Sequence, residues 1–136
     1  MKYVKAKKIE TEYTIIEFRY ENMFYYGCSN GYFYYGINTG LLPIKEIIAK
    51  QPKEIEAEEA FYQDIKEILK SSDIEKQINT FILDDIQKKY PINEELKLTK
   101  RAITNPLDEE YIAMQNYIQN VKDTWSIQKR NMGLIQ

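Results

Sequence analysis

The sequence predicts an α+β fold, with an N-terminal antiparallel, aromatic-rich sheet of three to four strands followed by a layer of four to five helices. Eight of the twelve tyrosines and four of the five glycines lie in the first 40 residues. Beyond Leu41, apolar residues recur at helical spacing. Because 136 residues is an ordinary length for one domain, we expect a single domain over 1–136, with a β-meander at 1–40 and helices at 41–136.

The clearest local signal is a hairpin at Asn30-Gly31. Asn-Gly between apolar runs favours a two-residue turn, because both residues accept positive φ. Strands are therefore predicted at Met23–Cys28 and Tyr32–Ile37. The expected opposite pairs are Cys28–Phe33, Gly27–Tyr34, Tyr26–Tyr35, Tyr25–Gly36 and Phe24–Ile37.

Two more strands complete the predicted sheet. Thr11–Tyr20 alternates and should place its apolar residues on the buried face. Lys2–Ile9 is expected at an edge, because lysines discourage further pairing. Cys28 is predicted on the buried face, and the opposite face carries Tyr13, Arg19, Tyr25, Tyr32 and Tyr34.

Five helices are predicted, beginning near Pro43, Lys53, Ser72, Asn93 and Asp108. The second should extend from Lys53 to Lys70. Ser72 and Glu75 have the spacing of a capping box. The helix that they open should end at Tyr90, because a proline disfavours helical geometry in the residue before it.

The composition argues against most catalytic sites. The chain has no histidine, which removes histidine-based triads and the commonest transition-metal ligand. The single cysteine cannot form an intramolecular disulfide, which fits a reducing compartment. The glycines match no phosphate-binding loop. We predict no catalytic residues, no cofactor, no metal and no enzymatic activity, with a carboxylate-only metal site as the alternative.

Charge and hydropathy also bound the partners. The net charge of -2 gives no general attraction to nucleic acid or acidic membranes. No stretch approaches the roughly 20 apolar residues of a membrane span, and the first residues lack the apolar run of a secretory signal. We therefore expect a cytoplasmic protein with a protein partner and no membrane association.

Three surfaces are candidates for binding. Tyr25, Tyr32 and Tyr34 could meet a protein or, as an alternative, stack nucleic-acid bases or nucleotides. A dense acidic stretch is expected to be a solvated helix face, or a surface that occupies a basic groove on a partner. Its residues are Glu54, Glu56, Glu58, Glu59 and Asp64.

The third candidate is the last helix. An apolar seam with 3-4-3-4 spacing consists of Tyr111, Met114, Ile118, Val121 and Trp125. Such a narrow seam is typical of helix pairing, and tryptophan is enriched among residues that dominate interfaces. The seam is predicted to bind a partner or a second copy, and the alternative is packing on the helix of Ile74–Ile86.

Residues 90–124 also resemble a known class of proteins. The resemblance is carried by Tyr90-Pro91-Ile92-Asn93-Glu94-Glu95-Leu96-Lys97-Leu98, Arg101-Ala102-Ile103, Asn105-Pro106, Asp108-Glu109-Glu110-Tyr111 and Tyr117-Ile118. This segment is similar to the C-terminal helical segment of small tail-fibre assembly and tail-associated proteins of tailed phages. The resemblance implies a phage or mobile-element protein with an assembly role, located in the host cytoplasm or with the virion. The alternative is a small inhibitor or regulator of a host protein.

Overall fold

The computed structural model describes residues 1–136 and has the predicted α+β class. The strands are β1 (Lys2–Ala6), β2 (Ile9–Glu10), β3 (Ile15–Ile16), β4 (Met23–Ser29), β5 (Tyr32–Ile37) and β6 (Ala57–Ala60). The helices are α1 (Ile44–Ala49), α2 (Tyr62–Ser71), α3 (Asp73–Lys89), α4 (Ile92–Thr104) and α5 (Glu109–Asn131). None of these helices combines the length and the apolar character that a membrane-spanning segment needs.

The residues group into two compact units. Unit 1 comprises Met1–Glu75 and Arg130–Gln136, and unit 2 comprises Lys76–Lys129. Unit 1 therefore contains the whole sheet, α1 and α2, and unit 2 contains α4 with most of α3 and α5. The single domain over 1–136 stays a prediction.

The main sheet of unit 1 has the strand order β4-β5-β1-β6, and every neighbouring pair is antiparallel. The N-terminal strand is thus central, and its predicted edge position is wrong. Its lysines do not prevent pairing, because they meet acidic partners on β6, where Lys5 lies opposite Glu58. Val4 is fully buried in this central strand.

The predicted strand at 11–20 is also wrong. Only Ile15 and Ile16 are extended in a ladder, and they pair with β2 in a separate two-stranded sheet. Farther along, the side-chain amide of Gln51 takes the place of a strand partner. It accepts a hydrogen bond from the Arg19 N–H at 3.0 Å and donates one to the Arg19 carbonyl at 2.8 Å. The segment still contributes Phe18 to the core, stacked on Tyr35.

The Asn30-Gly31 turn is as predicted, with φ of 53° and 81°. Cys28 lies opposite Phe33 and Gly27 opposite Tyr34, as expected from a two-residue turn. The register then shifts, because a bulge between Tyr25 and Gly27 leaves Tyr26 without an opposite residue. The pairs beyond the bulge are Tyr25–Tyr35, Phe24–Gly36 and Met23–Ile37, so three predicted pairs are wrong.

The bulge places Tyr26 on the face of Gly36, where a regular two-residue hairpin would place Tyr25. The Tyr26 ring lies directly over Gly36. A side chain at this position would overlap the ring, which explains why the residue is glycine. The Tyr26 hydroxyl donates a hydrogen bond to the Met132 carbonyl at 2.6 Å. The Tyr3 hydroxyl donates to the neighbouring Gly133 carbonyl, also at 2.6 Å. These two bonds hold the C-terminal residues of unit 1 on the sheet.

Burial of these phenols raises their pKa values. Desolvation is the main cause at Tyr26, whose pKa is raised far above its usual value, with a smaller contribution from Tyr3. The pKa of Tyr3 is raised by the same cause. Burial also raises the pKa of Tyr35 to about 12, with smaller contributions from Glu17 and Tyr25.

The face of the sheet opposite to Tyr3 and Tyr26 carries a core built by β1, β5, α1 and the connecting segments. Its buried residues are Val4, Ala6, Phe18, Tyr35, Ile37, Ile44, Ile47 and Ile55. The face with Tyr3 and Tyr26 packs against α2, where the centroids of the Tyr3 and Tyr62 rings are 6.2 Å apart. Both faces of the sheet are therefore covered within unit 1.

The predicted helix at Lys53–Lys70 is correct only in its second half. Residues 57–60 form β6, and α2 begins at Tyr62. Of the predicted capping box, the Ser72 half is confirmed, since its hydroxyl accepts a hydrogen bond from the Glu75 N–H at 3.2 Å, while the Ser72 N–H donates to the Leu69 carbonyl. Asp108 likewise accepts from the Tyr111 N–H at 3.0 Å.

The start of α4 differs from the prediction. Pro91, rather than Asn93, occupies the N-cap, and no side chain caps the first turn. Pro91 fits there because its fixed φ suits the start of a helix and because the N–H it lacks would have no partner within the helix.

The close approach of Tyr26 to Gly36 predicts a coupled cost. Gly36→Ala should lower the free energy of unfolding by about 1–3 kcal/mol, because the new methyl group overlaps the Tyr26 ring. In a Tyr26→Ala background the same change should cost close to nothing, since the obstructing ring is gone. Urea unfolding of the four proteins in this double-mutant cycle measures the coupling. Equal costs in both backgrounds would contradict the contact.

The raised tyrosine pKa values predict a loss of stability at high pH. Below about pH 10 these phenols are protonated in both the folded and the unfolded chain. Above about pH 10 the unfolded chain loses the protons while the folded protein retains them, so the free energy of unfolding must fall as pH rises toward the folded pKa values. Urea unfolding between pH 7 and 11.5 should show this decline.

Variants identify the groups responsible. Tyr26→Phe and Tyr35→Phe should each make the alkaline decline shallower. Tyr13→Phe is the matched control, because Tyr13 is 90% exposed, and it should decline as the intact protein does. A decline in Tyr26→Phe as steep as in the control would refute the assignment.

Candidate protein-binding surfaces

The three predicted surface tyrosines do not form one platform. Tyr34 is buried, on the face opposite to Tyr25. Tyr25 is exposed and lies beside the rings of Tyr35 and Phe33, with ring centroids 5.5 and 6.2 Å away. The predicted shared face is wrong for Tyr25, because the bulge between Tyr25 and Gly27 reverses the alternation.

The ring of Tyr32 has partners within the chain. The ammonium groups of Lys5 and Lys7 lie 4.8 and 5.2 Å from the centre of that ring. A cation at this distance is attracted to the electron-rich face of the ring. Stacking of a base on this ring would therefore have to displace two lysines.

An open cavity of about 400 Å³ lies beside Tyr25, between β4 and α2. Its wall includes Cys28, Glu67 and Asp73. Cys28 is exposed, so its predicted burial is wrong, because β4 is an edge strand. The pKa of Tyr25 is raised, first by burial and then by Cys28 and Asp73. No group of three or more acidic or cysteine side chains in the structure is placed to hold a metal ion.

The acidic stretch is not a helix face. Three of its carboxylates lie on or next to β6 and form ion pairs with lysines on or next to β1. The pairs are Lys7–Glu56 at 3.1 Å, Lys5–Glu58 at 3.1 Å and Lys2–Glu59 at 3.8 Å. Lys5 donates a hydrogen bond to Glu58, and Lys7 donates one to Glu56. These bonds are the main cause of the raised pKa values of the two lysines. Glu54 lies in the turn before β6 and Asp64 in the first turn of α2.

These ion pairs change the character of the predicted acidic surface. Each pair places a positive charge within 4 Å of a carboxylate, so the field that the stretch presents to a partner is reduced. Exposed pairs of this kind contribute little to stability, about 0–1 kcal/mol each. They do neutralise carboxylates of β6 beside β1, so the acidic residues do not oppose the pairing of the two strands.

The seam on α5 is occupied within unit 2. Met114 is fully buried, and Tyr111, Ile118 and Val121 are half-buried. The Trp125 indole N–H donates a hydrogen bond to the Asp85 carboxylate at 2.8 Å, and its ring stacks on Phe81 with centroids 5.6 Å apart. These contacts match the intramolecular alternative for the seam. Self-association through the seam stays a prediction.

A different helix face in unit 2 is exposed, and the sequence analysis missed it. Ile92, Leu96 and Ile103 are 57%, 55% and 78% exposed. Together with Thr99 they have 4-3-4 spacing, which aligns them on one side of α4. We call these four residues the α4 strip. The 4-3-4 spacing is present in the sequence, but Leu98 is a further apolar residue of the same segment and obscures the pattern.

The orientation of α4 is fixed by its other side. Leu98 is buried, and the Arg101 guanidinium forms ion pairs with Asp108 at 3.3 Å and Glu110 at 3.0 Å. At about 100° per residue, Leu98 and Arg101 both point well away from the α4 strip. The strip is therefore exposed because the inward side of α4 is already occupied.

Comparisons with protein-family models, with curated proteins and with solved structures give no match to this chain. The basis for a functional proposal is thus the set of surfaces that the fold exposes.

The packing of Trp125 on α3 predicts a specific stability effect. Asp85→Ala should lower the free energy of unfolding of unit 2 by about 1–2 kcal/mol, because the half-buried indole N–H loses a charged acceptor. Asp84→Ala is the matched control on the exposed side of α3, and it should cost less than about 0.5 kcal/mol. Fluorescence of Trp125, the single tryptophan, reports the transition in urea. Similar costs for the two variants would contradict the assigned contact.

Proposed function

We propose that this protein is a non-catalytic protein-binding protein of a bacteriophage or mobile element, with a structural or assembly role, and that the α4 strip is its partner surface. The observation that supports the proposal is the exposure of three aligned aliphatic side chains, Ile92, Leu96 and Ile103, on one helix. Leu107, in the loop after α4, is also 78% exposed.

Alignment distinguishes this strip from ordinary exposed apolar residues. Single exposed aliphatic side chains are common on protein surfaces, whereas contiguous apolar patches mark interaction sites. Full burial of one such side chain contributes about 1.5–3 kcal/mol. Three of them on one face, each more than half exposed, offer a substantial driving force for association.

The shape of the surface indicates the mode of binding. A helix that presents residues at 4-3-4 spacing can lie in an apolar groove or pack against another helix. Its partner needs a complementary apolar face, and no cofactor or catalytic group is required. This mode is compatible with an assembly role, in which one protein holds another by surface contact.

The origin and the location rest on the sequence resemblance. Residues 90–124, which resemble small tail-fibre assembly and tail-associated proteins of phages, include the whole of α4. We place the protein in the host cytoplasm, with association with the virion as the alternative. The inhibitor alternative has less support, because Glu56, Glu58 and Glu59 are ion-paired within the chain.

The test is affinity capture with matched variants. The intact protein, Leu96→Lys and Leu83→Lys are immobilised, and proteins retained from infected or producing cells are identified by mass spectrometry. Leu83 is the control because it is a leucine on another helix of unit 2 with almost the same exposure, 54% against 55%. Leu96→Lys should lose the specific partners that the other two proteins retain.

Circular dichroism and Trp125 fluorescence confirm that both variants remain folded. Retention of the same partners by Leu96→Lys and by the intact protein would show that the strip is not the partner surface. If none of the three proteins retained any specific partner, the protein-binding role itself would be rejected.

A further inference from the structure

We propose that the α4 strip pairs with the same strip of a second copy of this chain, with the two α4 helices parallel about a two-fold axis. This inference rests on the proposed function, because it names the partner of the same surface. The charges that flank the strip indicate which partner binds it.

The strip has the layout of a short coiled-coil seam. Ile92 and Thr99 take one set of core positions, and Leu96 and Ile103 take the other, so the residues alternate by four and three. All four lie within about 60° of one another around the helix axis. Thr99 fits a core position because its hydroxyl already donates a hydrogen bond to the Glu95 carbonyl, at 2.8 Å.

Opposite charges flank the two sides of the strip. Glu95 lies on one side, about 70° from the strip's centre, and Lys100 lies at a similar angle on the other side. Neither forms an ion pair within the chain. The three other charged residues of α4 are not available at the seam, since Arg101 is paired with Asp108 and Glu110 and Glu94 and Lys97 point farther away.

The separation of Glu95 and Lys100 decides the orientation. In a parallel helix pair, the residue just before one core position faces the residue five positions later on the partner helix. Glu95 of one copy therefore faces Lys100 of the other, and the two-fold axis repeats the contact. In an antiparallel pair, like sides of the seam meet, so Glu95 would face the second copy's Ala102 side and no opposite charges would be joined.

The pairing is expected to be concentration-dependent. The strip extends over about three helical turns. Two helices paired over that length bury less surface than the roughly 1,600 Å² of a standard protein interface. A dimer that dissociates on dilution, with a dissociation constant in roughly the micromolar range, fits this size. The protein should therefore be studied over a wide range of concentration.

The experiment is a charge exchange measured by sedimentation equilibrium on the full chain. The intact protein should reach the mass of a dimer. Glu95→Lys and Lys100→Glu should each weaken the dimer by roughly tenfold or more, because each variant places like charges at both contacts. The double variant, and an equimolar mixture of the two single variants, should recover the dimer, because both arrangements join opposite charges.

Lys97→Glu is the matched control, since it makes the same charge change away from the seam, and it should dimerise as the intact protein does. Each variant is first shown to be folded by circular dichroism and by its Trp125 fluorescence. A dimer that is unaffected by Leu96→Lys would place the interface elsewhere and overturn the inference. Failure of the mixture to recover the dimer would overturn the parallel register.

The outcome also separates this inference from the proposed function. If the intact protein is monomeric at every concentration, a second copy is not the partner and the inference fails. The proposed function would still stand in that case if Leu96→Lys lost captured partners that Leu83→Lys retained. If neither dimerisation nor capture depended on Leu96, both proposals would fail together.

Discussion

The position of the Tyr26 ring over Gly36 is the constraint on which unit 1 depends. Successive residues of a strand point to opposite faces, and the bulge makes Tyr26, rather than Tyr25, the tyrosine on the face of Gly36. Tyr26 then covers Gly36 and binds the Met132 carbonyl, so the last residues of the chain become part of the same unit as the first. A regular hairpin would instead place Tyr25 opposite Gly36 on that face and Tyr26 opposite Tyr35 on the other. The 54 residues of unit 2 are thus an insertion between two segments of unit 1.

Prediction of the hairpin succeeded up to the bulge and failed beyond it for one reason. The Asn30-Gly31 turn is specified by local backbone preference, which a sequence displays directly. The bulge is specified by what Tyr26 contacts, and those partners include Met132, which is 106 residues away. The same distinction explains β6. Glutamate and alanine favour a helix when considered alone, but residues 57–60 form a strand that pairs with β1, buries Ala60 and places its carboxylates beside lysines.

The candidate surfaces show how periodicity can be ambiguous. The α5 seam and the α4 strip have the same kind of spacing, so the pattern cannot tell which of them is buried. The difference lies in their polar partners. Trp125 finds Asp85 as an acceptor on α3, which fixes the α5 seam inside unit 2. On α4 the polar anchor is Arg101, which lies away from the strip, so its ion pairs with Asp108 and Glu110 turn the strip outward.

Electrostatics has different roles in the two units. In unit 1 the unlike charges of β1 and β6 are already joined within the chain, so they leave little field for a partner. In unit 2 the unlike charges of Glu95 and Lys100 lie on opposite sides of one helix, too far around its surface to meet each other. Neither forms an ion pair within the chain, and another molecule could join them if it presented the complementary arrangement. Because a parallel copy of α4 provides that arrangement by symmetry, the charge pattern of this helix is consistent with its apolar spacing, and both favour the same partner.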